Sequence, residues 1–372
     1  MNKKIVIAFI FLLTISGAVA YFLSNNPIEF KEAPDNKFSD INITDVAKDK
    51  EILGQVLKKI GIKETMAKLI QESGGGSQYD CHQEAHNIGR IGYKIEKENA
   101  FRSCSFHCHS GCYHGAMESL LFEKGTANLA KDITDVCSNF ETSFGSFECL
   151  HGVGHGILAY LDYDMPQAIA DCKKLPDSFS QSSCYGGMFM ENILTGQGLG
   201  ASEKDHSTSW VNNTDPYYPC NKVSQEYEIQ YQCYQMQTSW MLTLTGYNFD
   251  IVSKQCQKAP NNMQSVCFKS LGRDAAGYTL RNPQKTVDIC AKAPAENDYY
   301  RQCISGAVNV IIDFWGPELK NQANQLCALT PEPHRENCYK IIANRMPEIF
   351  KNKEEWKKIC DDFEPNYKSL CQ

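Results

Sequence analysis

Basic residues are in deficit: 37 Lys and Arg stand against 44 Asp and Glu, a net charge of −7 over 372 residues. That sign excludes a general nucleic-acid binder, whose affinity comes from neutralising phosphates. The signatures of several common chemistries are also missing. There is no P-loop, no dinucleotide-binding glycine fingerprint after a strand, no Gly-x-Ser-x-Gly elbow and no His-Glu-x-x-His motif. The segment from His151 to His155 (HGVGH) keeps the outer spacing of that last motif without its glutamate base, which argues against ordinary zinc proteolysis. No apolar run long enough to span a bilayer follows residue 23.

Cysteine, by contrast, is abundant. Eighteen cysteines, an even number, point to disulfides and an oxidising compartment rather than to catalytic thiols. The first residues agree. Lys3 and Lys4 precede an apolar run from Ile5 to Leu23. Ala18-Val19-Ala20 fits a signal-peptidase site, yet the run is long enough to span a bilayer, so a cleaved signal and an uncleaved membrane anchor both remain open. Either places the rest of the chain outside the cytoplasmic membrane, anchored or secreted. Residues 24–48 are polar and read as a tether.

The strongest pattern is a repeat. Seven cysteine pairs follow one another: Cys137/Cys149, Cys172/Cys184, Cys220/Cys233, Cys256/Cys267, Cys290/Cys303, Cys327/Cys338 and Cys360/Cys371. Partners are 11 to 13 residues apart, and first cysteines recur at 35, 48, 36, 34, 37 and 33 residues. Pro176, Pro260, Pro294 and Pro331 each lie four residues after a first cysteine. Each unit then reads as helix A ending near its cysteine, a proline-stopped loop, and helix B starting near the second cysteine. A period near 35 with two helices per unit predicts an all-α array of disulfide-stapled α-hairpins, each burying its apolar face against its neighbours. Gly115, Gly152, Gly187, Ser270 and Gly306 all lie three residues after a cysteine, where a small residue lets helices approach closely.

In period and cysteine phase, residues 99–372 resemble cysteine-rich Sel1-like or TPR-like repeat proteins. The Gly-rich consensus of Sel1 units is lacking and the cysteine spacing is longer. That resemblance implies a binding scaffold and says little about chemistry.

Chemistry is suggested by the histidines. Eight of nine lie between positions 82 and 206. His82 and His86 are i, i+4, as are His151 and His155, while His114 and Glu118 repeat the spacing with a carboxylate. Side chains one helical turn apart can chelate one ion. The second and third pairs share a repeat phase, two and six residues after a cysteine. In the next unit those places hold Gly186 and Met190, so the ligand pattern stops there. His82, His86, His114, Glu118, His151 and His155 are therefore the candidate ligands for one or two ions. Histidine-rich ligation favours copper, with zinc or iron as alternatives. The paired H-x3-H helices share their spacing with those of coupled dicopper proteins, which points to oxidation of a small substrate, with dioxygen or an electron carrier as partner. A zinc hydrolase is the competing metalloenzyme, with Glu118 as general base and His155 or His206 as acid. A scaffold binding a protein or glycan without catalysis is the competitor from another class.

Two local features stay open. Cys104, Cys108 and Cys112, with His107 and His109 between them, admit a variant haem-attachment segment, a closed zinc site, or further staples in which Cys104 pairs with Cys112 and Cys81 with Cys108. The 48-residue interval after Cys172 carries a polar excess over residues 195–219, with Asp205, His206 and Trp210 inside it. It reads either as a binding loop, with Asp205-His206 supplying an outer ligand or an acid, or as a passive insertion.

Overall fold

The computed structural model describes residues 41–74, 81–138, 140–200, 207–294, 296–315 and 320–371. Residues Asn42–Gln372 form one compact unit. The apolar run 5–23 and the Asp205-His206 pair lie outside the described residues. Among those described, no helix is long and apolar enough to cross a membrane.

The all-α expectation holds, with no strand among the described residues. In chain order the α-helices are α1 (Ile43–Val46), α2 (Lys50–Glu72), α3 (His82–Glu96), α4 (Ala100–Ser103), α5 (Gly111–Lys124), α6 (Leu129–Cys137), α7 (Ser143–Tyr160), α8 (Met165–Cys172) and α9 (Ser178–Gly196). They continue with α10 (Tyr227–Leu244), α11 (Phe249–Lys258), α12 (Gln264–Tyr278), α13 (Pro283–Cys290), α14 (Tyr299–Trp315), α15 (Lys320–Leu329), α16 (Arg335–Ile349) and α17 (Lys353–Asp361). All eighteen cysteines are in disulfides, and the seven pairs read from the repeat form as expected. Near the N-terminus the staple arrangement applies: Cys81 joins Cys108 and Cys104 joins Cys112, which leaves no thiolate for haem or zinc. Nine disulfides suit an oxidising, extracytoplasmic environment.

Helix B starts three to six residues before its cysteine, earlier than the cysteine spacing suggests. The cause is capping. Thr142 accepts from Gly145 N at the start of α7, and Asp177 accepts from Ser180 N at the start of α9, so each helix begins where a side chain satisfies its orphan amides. In the third unit Cys220 lies in a turn rather than in a helix A. At the polar end, Asn42 caps α1 and Glu72 of α2 accepts from Ile43 N and Thr44 N, so residues 42–48 fold onto α2 instead of continuing a tether.

The B helices pack in sequence, α3 on α5, α5 on α7, α7 on α9, and onward to α16. The stack also curls back on itself. Helix α16 touches α7, where Arg345 lies 5.5 Å over the Phe144 ring, and Ser143 Oγ donates to Glu348 O at 3.4 Å. Arg281, on the loop after α12, reaches His109 at 3.1 Å. The histidine-bearing helices thus lie inside a closed arrangement.

Small residues set how closely these helices approach. A Cβ at Gly115 would lie 2.0 Å from His86 O, and one at Gly187 would lie 1.8 Å from His151 O. Both contacts are with backbone, so neither can be relieved by a rotamer change. Gly187→Ala should therefore destabilise the protein by about 3 kcal/mol. Gly277→Ala, whose Cβ would meet nothing within 4 Å, should be neutral or slightly stabilising. Denaturant midpoints of the two variants check this, and equal midpoints would contradict it.

Candidate metal centre

Four helices build the centre. Helix α3 carries His82 and His86, α5 carries His114, α7 carries His151 and His155, and α9 backs them. The i, i+4 spacing puts each pair on the inward face of its helix, and the close approach at Gly115 and Gly187 brings the helices within reach of one another. All five rings are buried, from 0% exposed at His86 to 8% at His82. They form two triads that share one member: His82, His86 and His114, and His114, His151 and His155. In each triad one ligand atom per residue lies within 4.8 Å of the others. His114 stacks on His155 with ring centroids 4.6 Å apart, and His86 lies 5.9 Å from His155.

Hydrogen-bond partners fix which nitrogen is available at each end of this row. His82 Nδ1 lies 2.9 Å from Cys108 O, and a carbonyl only accepts, so Nδ1 carries the hydrogen and Nε2 has the lone pair. His155 Nδ1 lies 2.8 Å from Glu191 Oε2 and is protonated for the same reason. Its Nε2 has no hydrogen-bond partner, nor has either nitrogen of His114, nor Nδ1 of His151. His82 Nε2 and His86 Nε2 are 3.2 Å apart. Two nitrogens at zinc- or copper-like bond lengths of about 2.05 Å and a tetrahedral angle would be about 3.3 Å apart. The pair therefore already has the bite of a chelate.

Burial, followed by the fields of neighbouring histidines, holds His114 and His151 well below the ordinary imidazole range. Burial does the same at His86, where His82, Arg90 and His155 add to it. These rings are neutral at neutral pH, the form that ligates metal.

Carboxylates surround the row without joining it. Glu118, expected from its spacing to be a ligand and a base, instead accepts from Arg90 Nε at 2.7 Å, with both side chains buried. Arg90 lies one turn beyond His86 on the same face of α3 and claims that carboxylate, so Glu118 stands outside both triads. Glu148, three residues before His151 on α7, brings Oε2 to 3.7 Å from His114 Nε2. Burial pushes its carboxyl up to about 8, against the Ser110 hydroxyl and Arg345, which favour the charged form. Glu191 is different. Burial opposes its ionisation, but the hydrogen bonds from His155 and the Tyr163 hydroxyl, with the charge of Arg90, outweigh it, and the carboxyl is held below its ordinary range.

Five of the six proposed ligands are thus brought together, and the sixth is diverted. Glu148, Glu191 and Arg90 were not singled out from the sequence. Glu148 and Arg90 could have been found, since 148, 151 and 155 share a helix face, as do 82, 86 and 90. Glu191 could not, because it reaches His155 from the neighbouring helix α9. His107 sits beside Ser105 and His334 beside Tyr300, both outside the triads. Within the 195–219 loop, Trp210 is tied to the helices: its Nε1 donates to Tyr163 O at 3.1 Å, and Asn192 Nδ2 donates to its carbonyl at 2.8 Å.

Compared with protein-family models, curated proteins and solved structures, the chain matches none of them.

Proposed function

We propose that this chain is an extracytoplasmic metalloprotein that holds one or two transition-metal ions on its buried histidines and uses them to oxidise a small substrate. The observation that carries this reading is the set of ring nitrogens on His114, His151 and His155 that have no hydrogen-bond partner although the rings are buried within ligand distance of one another. An unsatisfied buried polar atom costs about 1–3 kcal/mol, and here several converge. An ion that accepts one lone pair from each ring accounts for three of these four nitrogens at once, leaving over only one nitrogen of His114.

Imidazole donors suit copper, zinc, iron and nickel, and with every cysteine oxidised no thiolate competes. Copper is favoured because the triads contain no carboxylate, which iron would call for. Three protein ligands leave a fourth position open, the arrangement of a reactive rather than a closed structural site. A small substrate is favoured by a cavity of about 230 Å³ lined by Arg90, Tyr93, Phe122 and Glu118, among others. Arg90 links that cavity to the cluster, with Nη2 3.4 Å from His86 Nδ1. Dioxygen or an electron carrier would take the electrons. Zinc hydrolysis with Glu118 as base is the less favoured reading, because Arg90 holds that carboxylate.

One equivalent of Cu(II) added to metal-depleted protein should give an electron paramagnetic resonance spectrum with hyperfine splitting from several nitrogens. The copper-loaded protein should consume dioxygen with small reducing substrates, and the zinc-loaded protein should not. A copper signal without nitrogen splitting, or turnover indifferent to the metal, would contradict the proposal.

A further inference from the structure

Glu191 is 2% exposed and belongs to neither triad, yet its carboxylate is fully engaged. Oε2 accepts from His155 Nδ1 at 2.8 Å, while Oε1 accepts from the Tyr163 hydroxyl at 2.7 Å and from Thr195 Oγ1 at 3.2 Å. Tyr163 is in turn held from behind, its carbonyl accepting from Trp210 Nε1. Asn192, next to Glu191 on α9, holds the same loop by donating to Trp210 O and accepting from Thr208 Oγ1 at 2.6 Å. A chain of contacts therefore runs from the half-buried Trp210 of the long polar loop through Tyr163 to the buried Glu191, and ends on one nitrogen of His155. The other nitrogen of that ring points at no protein partner.

The opposite end of the row is built on the same plan with a weaker group. There the Cys108 carbonyl, rather than a carboxylate, receives His82 Nδ1. A hydrogen bond to an anion is about twice as strong as one to a neutral acceptor, and it makes the ring a better donor to a metal. In addition, His82 Nε2 and His86 Nε2 face one another at 3.2 Å, so a hydrogen lies between them that an incoming ion must displace.

From this asymmetry we propose that Glu191 is a positioning residue, which locks His155 with Nε2 turned toward the ion and makes His114, His151 and His155 the site that fills first. The inference rests on the metal-centre reading above. It gives the polar loop a purpose that its composition did not reveal: through Trp210 it braces the carboxylate that aims a ligand.

The test compares metal-depleted wild type with Glu191→Ala and Glu191→Gln, each titrated with Zn(II) against a chromophoric chelator. The dissociation constant of the first equivalent should rise about 10- to 100-fold in Glu191→Ala. It should rise less in Glu191→Gln, whose amide oxygen still accepts from Nδ1. A long-range proton–nitrogen correlation spectrum of the metal-free wild type should show His155 carrying its hydrogen on Nδ1, a result independent of metal. Circular dichroism establishes that each variant is folded. If Glu191→Ala does not fold, a weakened first equivalent in Glu191→Gln supports the proposal and an unchanged one overturns it. Wild-type affinity in a folded Glu191→Ala, or a hydrogen on Nε2 of His155, would overturn it and leave the metal centre standing. Absence of Zn(II) binding in the wild type would overturn both together.

Discussion

Alanine at position 114 should weaken metal binding at both triads by at least about 100-fold, whereas alanine at 82 or 151 should weaken only one. The magnitude exceeds the 10- to 100-fold typical of losing a partner one shell further out, because a ligand itself is removed. His114 is the only member common to the two groups, its ring lies 5.6 Å from that of His82 and 5.4 Å from that of His151, and both of its nitrogens lack a hydrogen-bond partner. Chelate titrations of the three single variants decide it. Should His114→Ala lose no more than His82→Ala, the shared-ligand arrangement is wrong, whatever metal the protein holds.

The second large effect concerns the staples. Reduction and alkylation of all nine disulfides should abolish the fold, seen as loss of the far-ultraviolet helical signal at 25 °C without denaturant. In the seven repeat units each bond closes a segment of 11 to 13 residues, worth about 3 kcal/mol in restricted chain entropy. A native domain is stable by only about 5–15 kcal/mol in total, so losing a few of these contributions exceeds it. The A helices explain the dependence. Helices α8 and α13 have eight residues each, below the roughly 12–15 at which an isolated helix is even marginal in water. Each needs a covalent tie to the helix it packs on. A reduced chain that kept its helical signal and a cooperative melt would show that packing alone suffices.

The candidate metal centre depends on the same bonds. Cys108, His109 and Ser110 are three consecutive non-glycine residues in the left-handed region, with φ of 56°, 51° and 56°. L-residues avoid that region at a cost of about 1 kcal/mol each. Disulfides Cys81–Cys108 and Cys104–Cys112 bracket the turn and hold it, and it is this turn that presents the Cys108 carbonyl to His82.

Much of the architecture was legible because it is periodic. The cysteine spacing named seven of the bonds, and the prolines marked where hairpins turn. The i, i+4 histidines picked out five of the residues that the fold brings together, because helical geometry alone places such pairs on one face. Glycines three residues after a cysteine announced close packing, which Gly115 and Gly187 confirm by contact with backbone carbonyls. What stayed hidden depended on contacts between distant parts of the chain. Nothing near Glu118 shows that Arg90, 28 residues earlier, will take its carboxylate. Nothing near Glu191 shows that it will meet His155 from the next helix pair, 36 residues away. The return of α16 onto α7 and of Arg281 onto His109 is likewise set by small rotations accumulated over many repeats, which no local pattern encodes.

The central claim is that the buried histidines hold metal, and elemental mass spectrometry of the exported protein tests it most directly. The measurement is made on wild type beside the His114→Ala/His151→Ala double variant, both produced in an oxidising compartment and both after reconstitution with copper, zinc or iron. One to two ions per chain are expected in the wild type and close to none in the variant. No metal in either protein, or equal metal in both, would contradict it.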